Sequence, residues 1–168
     1  MKKSMKTSLV FLLILFCAGR GISQMTHPEP KTLEIGSKAL DFKLSGVDGK
    51  TYSLKDFDKA KVLVIIFSCN HCPTAQAYED RIIALVKDYK SKGVEVVMIS
   101  SSSTKALNYS ELGYSDIGDS FEEMKLRAEE KGFTFPYLYD GDEQKCALAY
   151  GPVATPHCVV LHKNRILR

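Results

Sequence analysis

Two apolar segments dominate the middle of the chain, an unbroken one at residues 62–67 and one at 94–99 that only Glu95 interrupts. Such runs predict strands buried on both faces, as in a parallel sheet. Between them, apolar residues recur at spacings of three and four, which predicts a helix ending at Gly93. The residues of this predicted apolar face are Tyr78, Ile82, Leu85, Val86 and Tyr89. A strand, helix and strand in this order require a parallel pair with a right-handed crossover.

The flanking segments predict shorter elements. Residues 41–54 alternate around Asp48-Gly49, which predicts a β-hairpin. Ser120 and Glu123 predict a capping box for a helix over residues 121–131 that Gly132 ends. The remaining predicted elements are a long mobile loop (100–119, with a substrate-facing role as a hypothesis), an edge element at most (133–139, which contains Pro136), a short helix (143–150), a strand (158–162), and a turn leading into one more strand (164–168).

The first 23 residues predict a secretory signal peptide. They carry four basic residues and no acidic ones, then an apolar run at 9–16 and small residues before an expected cleavage at Gln24. The run is too short to span ~30 Å of hydrocarbon. We therefore expect an exported protein, periplasmic or otherwise extracytoplasmic, with no stable membrane span after cleavage. Residues 24–36 are predicted as a linker, and 37–168 as one domain.

Charge changes the picture once this segment is set aside. The chain has 23 basic and 20 acidic residues, but the remainder after residue 23 is slightly acidic. Nucleic-acid binding needs a clustered basic face, so it is not expected. Export also permits disulfides, and four cysteines follow the predicted cleavage site. They are Cys69, Cys72, Cys146 and Cys158.

The candidate chemistry lies where the first predicted core strand meets the helix, in Cys69-Asn70-His71-Cys72-Pro73. Backbone N–H groups at a helix N-terminus favour a thiolate and lower a cysteine pKa. Two cysteines at this spacing permit a small disulfide ring that opens and closes. An imidazolium at His71 would stabilise a thiolate at Cys69 and make such a disulfide more oxidising.

The order of hairpin, strand, Cys-x-x-Cys, helix, strand, helix, Thr155-Pro156 and strand resembles the thioredoxin fold. More closely, the segments at 67–73, 78–81, 135–138 and 150–156 resemble the exported redoxin branch related to the AhpC/TSA superfamily. The resemblance covers about residue 35 to the end. It implies an α/β domain with a central mixed sheet flanked by helices and an N-terminal β-hairpin. The last edge strand and helix of that fold are expected to be truncated.

The resemblance also implies roles. Cys69 matches the exposed nucleophilic cysteine, Cys72 matches the buried resolving cysteine, and the two are expected to form a disulfide. Pro156 matches the family's cis-proline. Thr155, Pro156 and Asn70 are expected to bind substrate. The implied activity is thiol–disulfide exchange, without a bound cofactor or metal, with a thiol- or disulfide-containing substrate and an electron-transfer partner.

The chain departs from its relatives at buried positions. Leu63 stands where many thioredoxins carry a buried acid that relays protons, and Ala75 stands where cytochrome-maturation relatives carry a glutamate. The sequence therefore leaves open which group accepts a proton from the second cysteine.

Two other function classes remain open. A metal-delivery module could hold copper or zinc through Cys69, Cys72 and His157. A peroxiredoxin-like peroxidase needs a hydroxyl three residues before its reactive cysteine. That position is Ile66 for Cys69 and Cys69 for Cys72, and neither side chain carries a hydroxyl. Cys146 and Cys158 are predicted to be small buried apolar residues rather than a second disulfide.

Overall fold

The computed structural model describes residues 31–103 and 117–168, which form a seven-stranded mixed sheet flanked by helices. The strands are β1 (Lys43–Gly46), β2 (Thr51–Ser53), β3 (Val62–Ser68), β4 (Val94–Ser100), β5 (Tyr137–Tyr139), β6 (His157–His162) and β7 (Ile166–Leu167). Their spatial order is β2-β1-β5-β4-β3-β6-β7. Residues 1–30 and 104–116 lie outside the described residues. They include the predicted signal peptide, most of the predicted linker and most of the loop for which a substrate-facing role is a hypothesis.

Strands β3 and β4 form the centre of the sheet, and they pair in parallel as predicted, from Val62 opposite Val94 to Ser68 opposite Ser100. Residues from Leu63 to Phe67 are buried on both sheet faces. β6 runs antiparallel along the other side of β3, with Cys158 opposite Ile66. This buried apolar strand therefore fixes the position of Cys69, the residue that directly follows it.

The predicted hairpin is confirmed, because β1 and β2 pair antiparallel with Leu44 opposite Tyr52. The prediction of an edge element at most for residues 133–139 is wrong. β5 lies inside the sheet, parallel to β4 and antiparallel to β1. Pro136 does not prevent this, because it precedes the strand and its carbonyl accepts a hydrogen bond from Met98. Tyr137 and Leu138 are buried accordingly.

The far side of the sheet ends in β7, which pairs antiparallel with β6. The predicted turn is a short 3-10 segment, Lys163–Arg165, with Asn164 in the left-handed region at φ 66°. The predicted start of one more strand is therefore confirmed, as the two-residue β7 that Arg168 follows.

Three helices cover the sheet: α1 (Pro73–Tyr89), α2 (Phe121–Lys131) and α3 (Lys145–Tyr150). One face of the sheet packs against α1 and α2, through Ile82, Val86, Met124 and Ala128. The other face packs against α3 and the hairpin region, including Tyr150. Within the part of the chain that is described, no helix combines the length and apolar character needed to cross a membrane.

The buried face of α1 agrees with the predicted one at Ile82 and Val86 but differs from it toward both helix ends. It consists of Ala75, Glu79, Ile82 and Val86. The predicted face included Tyr78 and Tyr89, which are each 43% exposed. The observed face includes the carboxylate of Glu79, whose burial the apolar periodicity alone did not indicate.

Glu79 is buried together with its partner on the neighbouring helix. Arg127 of α2 donates from Nε to Oε1 at 2.9 Å and from Nη2 to Oε2 at 2.7 Å, a two-pronged pair. Lys131 Nζ lies 3.6 Å from the same carboxylate. Burial lowers the pKa of Arg127, but the bonds to Glu79 outweigh it and the pKa is raised. This ion pair joins the two helices that cover one sheet face.

We expect Arg127→Ala to destabilise the protein by about 3 kcal/mol, because it leaves the buried Glu79 without its main partner. Glu130→Ala is the matched control, since it removes only the exposed carboxylate that Arg127 Nη1 contacts at 3.1 Å. The control should cost less than about 1 kcal/mol. Denaturant unfolding of both variants measures the difference. Equal losses would contradict a structural role for the buried pair.

Candidate active site

The motif occupies the turn between β3 and α1, as the sequence predicted, but the helix begins later than the first cysteine. Pro73 is the first helical residue, and Cys72 is the N-cap with φ −72° and ψ 118°. Proline favours this first position because it has no N–H to leave unpaired. Cys69 therefore directly follows the buried strand β3, and only Cys72 lies at the helix N-terminus.

The exposure of the two cysteines is the reverse of the prediction. Cys69 is 3% exposed, whereas Cys72 is partly exposed. Burial raises the pKa of the Cys69 thiol to about 11. Partial burial also raises the pKa of Cys72, but hydrogen bonds from the N–H of Ala75, from Thr155 and from Thr74 outweigh it, so the net pKa is lowered.

The expectation of an exposed Cys69 and a buried Cys72 is therefore wrong. The physical reason is the position of the helix start, since the N–H groups that stabilise a thiolate point at Cys72. Pro73 was the sequence signal for this arrangement, because it marks the residue before it as the N-cap. The four cysteines of the described residues are free, and the Cys69–Cys72 disulfide stays a prediction.

Thr155 contacts both cysteines from the loop before β6. Its Oγ1 lies 3.3 Å from Cys69 Sγ, and its carbonyl accepts a hydrogen bond from Cys72 Sγ at 3.6 Å. The Thr155–Pro156 peptide bond is cis, which confirms that predicted conformation. The structure thus brings the Cys69 and Cys72 thiols, which follow β3, into contact with Thr155, which precedes β6.

Asn70 is not available to a substrate, contrary to the prediction. It is 1% exposed, and both polar atoms of its side chain form hydrogen bonds inside the protein. Its Nδ2 donates to the Gly118 carbonyl at 2.8 Å, and its Oδ1 accepts from the Tyr137 hydroxyl at 2.9 Å. Gln76 in turn donates to the Asn70 carbonyl at 2.7 Å. Asn70 therefore fixes the turn to β5 and to the start of α2 rather than binding substrate.

Asp119 is the site residue that the sequence did not indicate. Its side chain is wholly buried, and its Oδ1 accepts hydrogen bonds from the N–H groups of Asn70 at 2.6 Å and His71 at 3.3 Å. Its Oδ2 lies 2.5 Å from His71 Nδ1. An acidic residue at the end of a polar loop gave no periodic or spacing signal. The carboxylate thus holds His71 against the turn, while the tuning role predicted for His71 remains a prediction.

The capping box of α2 places Asp119. Ser120 is the N-cap, and its hydroxyl accepts from the Glu123 N–H at 3.2 Å, as predicted. Glu123 accepts in return from the N–H of Ser120 at 3.1 Å and of Gly118 at 2.9 Å. The backbone on both sides of Asp119 is thereby tied to the helix start, and the carboxylate points into the Cys69–Cys72 turn.

A cavity of about 380 Å³ opens beside the turn. Cys69, His71 and Thr155 line it at the motif, and Leu148 and Val153 line it on the side of α3. Both of these apolar side chains are largely exposed. Of the two motif thiols, Cys69 lines this cavity, and Thr155 of the cavity wall contacts both sulfur atoms.

The structure contradicts the predicted metal ligand set of Cys69, Cys72 and His157. Among the described residues, the group of three metal-ligating side chains is Cys69, His71 and Asp119, with ligand atoms within 4.8 Å of one another. His157 lies in β6 opposite Phe67.

The other two cysteines are separate from the site. Cys146 is buried in α3, and burial raises its pKa to about 12. Cys158 is exposed on β6, whereas the sequence placed it in the core.

Comparison with known proteins supports the predicted chemistry. The chain is 26% identical over 159 residues to a thiol-disulfide oxidoreductase ResA of Geobacillus thermodenitrificans, covering 94% of this chain and 80% of that protein. It superposes on an uncharacterized conserved protein from Geobacillus kaustophilus with a TM-score of 0.71 and 36% identity, over 82% and 68% of the two chains.

A third comparison bears on the fold. A putative thiol:disulfide interchange protein DsbE from Chlorobium tepidum superposes with a TM-score of 0.65 at 19% identity, over 81% of this chain and 83% of that one. The thioredoxin-like fold is therefore confirmed, and the relatives support the thiol–disulfide oxidoreductase function that the sequence predicted. The AhpC/TSA family model matches residues 35–168. The chain accordingly belongs to the AhpC/TSA family.

Proposed function

We propose that the protein is an exported thiol–disulfide oxidoreductase in which Cys72 makes the first exchange and Cys69 resolves it. The observation that carries this proposal is the meeting of both sulfur atoms at Thr155, with only Cys72 at a helix N-terminus. The assignment keeps the predicted pair of cysteines and exchanges their roles.

In the first step, the Cys72 thiolate attacks one sulfur of an external disulfide. A mixed disulfide forms between Cys72 and that sulfur, and the other half of the substrate leaves as a thiolate. The partly exposed position of Cys72 gives access, and its stabilised thiolate supplies the nucleophile. We expect the substrate backbone to bind along Thr155 and Pro156, because Thr155 contacts both sulfur atoms.

In the second step, Cys69 loses its proton and attacks Cys72 Sγ. The Cys69–Cys72 disulfide forms, and the second substrate thiolate leaves, so that two electrons have passed from the protein to the substrate. The reverse sequence oxidises a dithiol substrate. In either direction an external dithiol or disulfide partner must restore the starting state.

The buried Cys69 needs a proton acceptor for this second step. The His71–Asp119 pair can accept this proton, because an imidazole nitrogen and a carboxylate oxygen of the pair lie within 4.8 Å of Cys69 Sγ. A buried thiol with a pKa of about 11 stays protonated near neutral pH. The pair thus supplies from another loop the proton acceptor that Leu63 and Ala75 do not provide.

The N-terminal sequence supports export, and exported surroundings allow a disulfide to persist. The partners we propose are a thiol- or disulfide-containing protein or small molecule and a separate redox partner. The peroxidase alternative gains little support, because Ile66 and Cys69 stand three residues before Cys69 and Cys72, where such a peroxidase carries a hydroxyl.

The first prediction concerns alkylation of the reduced protein by iodoacetamide near pH 7.5. Cys72 should react on the order of tenfold or more faster than Cys69, because only Cys72 combines exposure with a stabilised thiolate. Mass spectrometry of the digested protein measures each rate, with the buried Cys146 as an unreactive reference. Faster modification of Cys69 would restore the original order of the two cysteines.

The second prediction concerns trapping of the mixed disulfide. Cys69→Ser should accumulate a stable adduct between Cys72 and a disulfide substrate, because the resolving thiol is missing. Cys72→Ser is the matched variant and should form no such adduct and lose exchange activity. Non-reducing electrophoresis with a model protein disulfide shows the adduct. An adduct that forms only in Cys72→Ser contradicts the assigned roles.

The reduction potential tests the function as a whole. The protein is equilibrated in thiol redox buffers and alkylated, and its mass is then measured. Cys146→Ser and Cys158→Ser are controls that keep the Cys69–Cys72 pair. We expect one two-electron couple that vanishes in either Cys69→Ser or Cys72→Ser. A potential near ~−270 mV indicates a reductant, and one near ~−120 mV indicates an oxidant. Failure to pair at any potential would overturn the proposal.

A further inference from the structure

We propose that Cys69, His71 and Asp119 form a binding site for a divalent metal ion with the preferences of zinc. Their ligand atoms are a thiolate sulfur, an imidazole nitrogen and a carboxylate oxygen, which is a ligand set that zinc favours. The carboxylate argues against copper(I), which prefers soft sulfur ligands. Thiol–disulfide exchange does not need the metal ion, although the site shares Cys69 and the His71–Asp119 pair with the proposed exchange chemistry, and the inference does not rest on the assigned order of the cysteines.

The spacing of the three ligand atoms suits one ion. They lie within 4.8 Å of one another, and zinc bond lengths would separate them by roughly 3.3–3.6 Å. The ion would widen the 2.5 Å contact between His71 Nδ1 and Asp119 Oδ2 and draw Cys69 Sγ inward. His71 can supply this movement, because its side chain is 20% exposed and lies in a turn.

The carboxylate is held in the way that metal ligands are held. Asp119 Oδ1 accepts two backbone N–H groups, from Asn70 and His71, so that Oδ2 is the oxygen directed at the ring. On the other side, the Thr155 hydroxyl contacts Cys69 Sγ. Outer contacts of this kind fix the orientation of ligands and raise metal affinity.

Charge balance also favours an ion here. The Asp119 side chain is wholly buried and Cys69 is nearly so. A divalent cation binding to the Cys69 thiolate, the Asp119 carboxylate and a neutral imidazole gives a site with no net charge. Binding releases the thiol proton of Cys69 to solvent, and the proton shared by His71 Nδ1 and Asp119 Oδ2 leaves to solvent or moves to Nε2, which frees Nδ1 to bind the ion. A neutral site avoids the cost of leaving a charge unpaired in the interior.

The cavity provides both an entry path and an open position. Cys69 and His71 line it, so an ion could enter and keep a fourth ligand from water or from a substrate thiol. Because the same sulfur would bind the metal and form the predicted disulfide, the two states exclude each other. Oxidation of Cys69 would release the ion, and a bound ion would block the resolving step.

The test is a titration of the fully reduced protein with Co²⁺ under anaerobic conditions. We expect one Co²⁺ per chain, with a near-ultraviolet thiolate-to-cobalt band and visible bands of a four-coordinate site. Zn²⁺ should then displace Co²⁺ and remove both sets of bands. Binding without a thiolate band would overturn the proposal.

Variants identify the ligands. Cys69→Ser should abolish the thiolate band, and His71→Ala and Asp119→Asn should each weaken binding by about tenfold or more. Cys72→Ser and His157→Ala are the matched controls and should keep the band, as should Cys158→Ser on the surface. Loss of binding in Cys72→Ser and His157→Ala would assign the ion to a different ligand set and overturn the proposal.

Near-ultraviolet circular dichroism of each variant without metal verifies folding, which matters most for the buried Asp119. If Asp119→Asn is unfolded, the partly exposed His71 and the Cys69 substitution decide the outcome. The proposed function and the metal site can be disproved independently of each other. Cys72→Ser is expected to stop thiol–disulfide exchange and still bind metal. For His71→Ala, only the metal affinity is used as the test.

Discussion

The site depends on one buried carboxylate. Asp119 accepts hydrogen bonds from two consecutive N–H groups of the turn after β3 and contacts the His71 ring. Those N–H groups would otherwise be buried without partners, which costs about 1–3 kcal/mol each. The carboxylate would likewise be buried without them. Each side therefore needs the other, and the turn, the imidazole and the start of α2 form one unit.

Much of the fold follows from local rules that the sequence displays. The apolar run of β3, the hairpin turn at Asp48-Gly49 and the capping box at Ser120 are local patterns, and the structure realises each one. β5 was misjudged because Pro136 suggested an edge, and only the pairing with β1 and β4 shows an interior strand. The α1 face was misjudged because Glu79 is buried by a partner on α2, 48 residues away.

The same division holds within the site. Cys69, Cys72 and Pro156 could be selected from their motifs, and the cis peptide bond was predicted. The exposure of the two cysteines could not be judged until Pro73 was placed as the first helical residue. Asp119 was invisible because its partners lie 48 and 49 residues away, and burial of Asn70 depends on Tyr137 in a strand that was not expected inside the sheet.

The long sequence separation of these contacts governs when the site can assemble. Thr155 meets Cys69 across 86 residues, and Tyr137 meets Asn70 across 67. Such contacts form late, because loop closure must precede the stabilisation that they bring. A chain emerging N-terminus first therefore presents both motif cysteines well before Thr155 arrives to meet them. During that interval neither thiol has the contact with Thr155 that both sulfur atoms make in the folded protein.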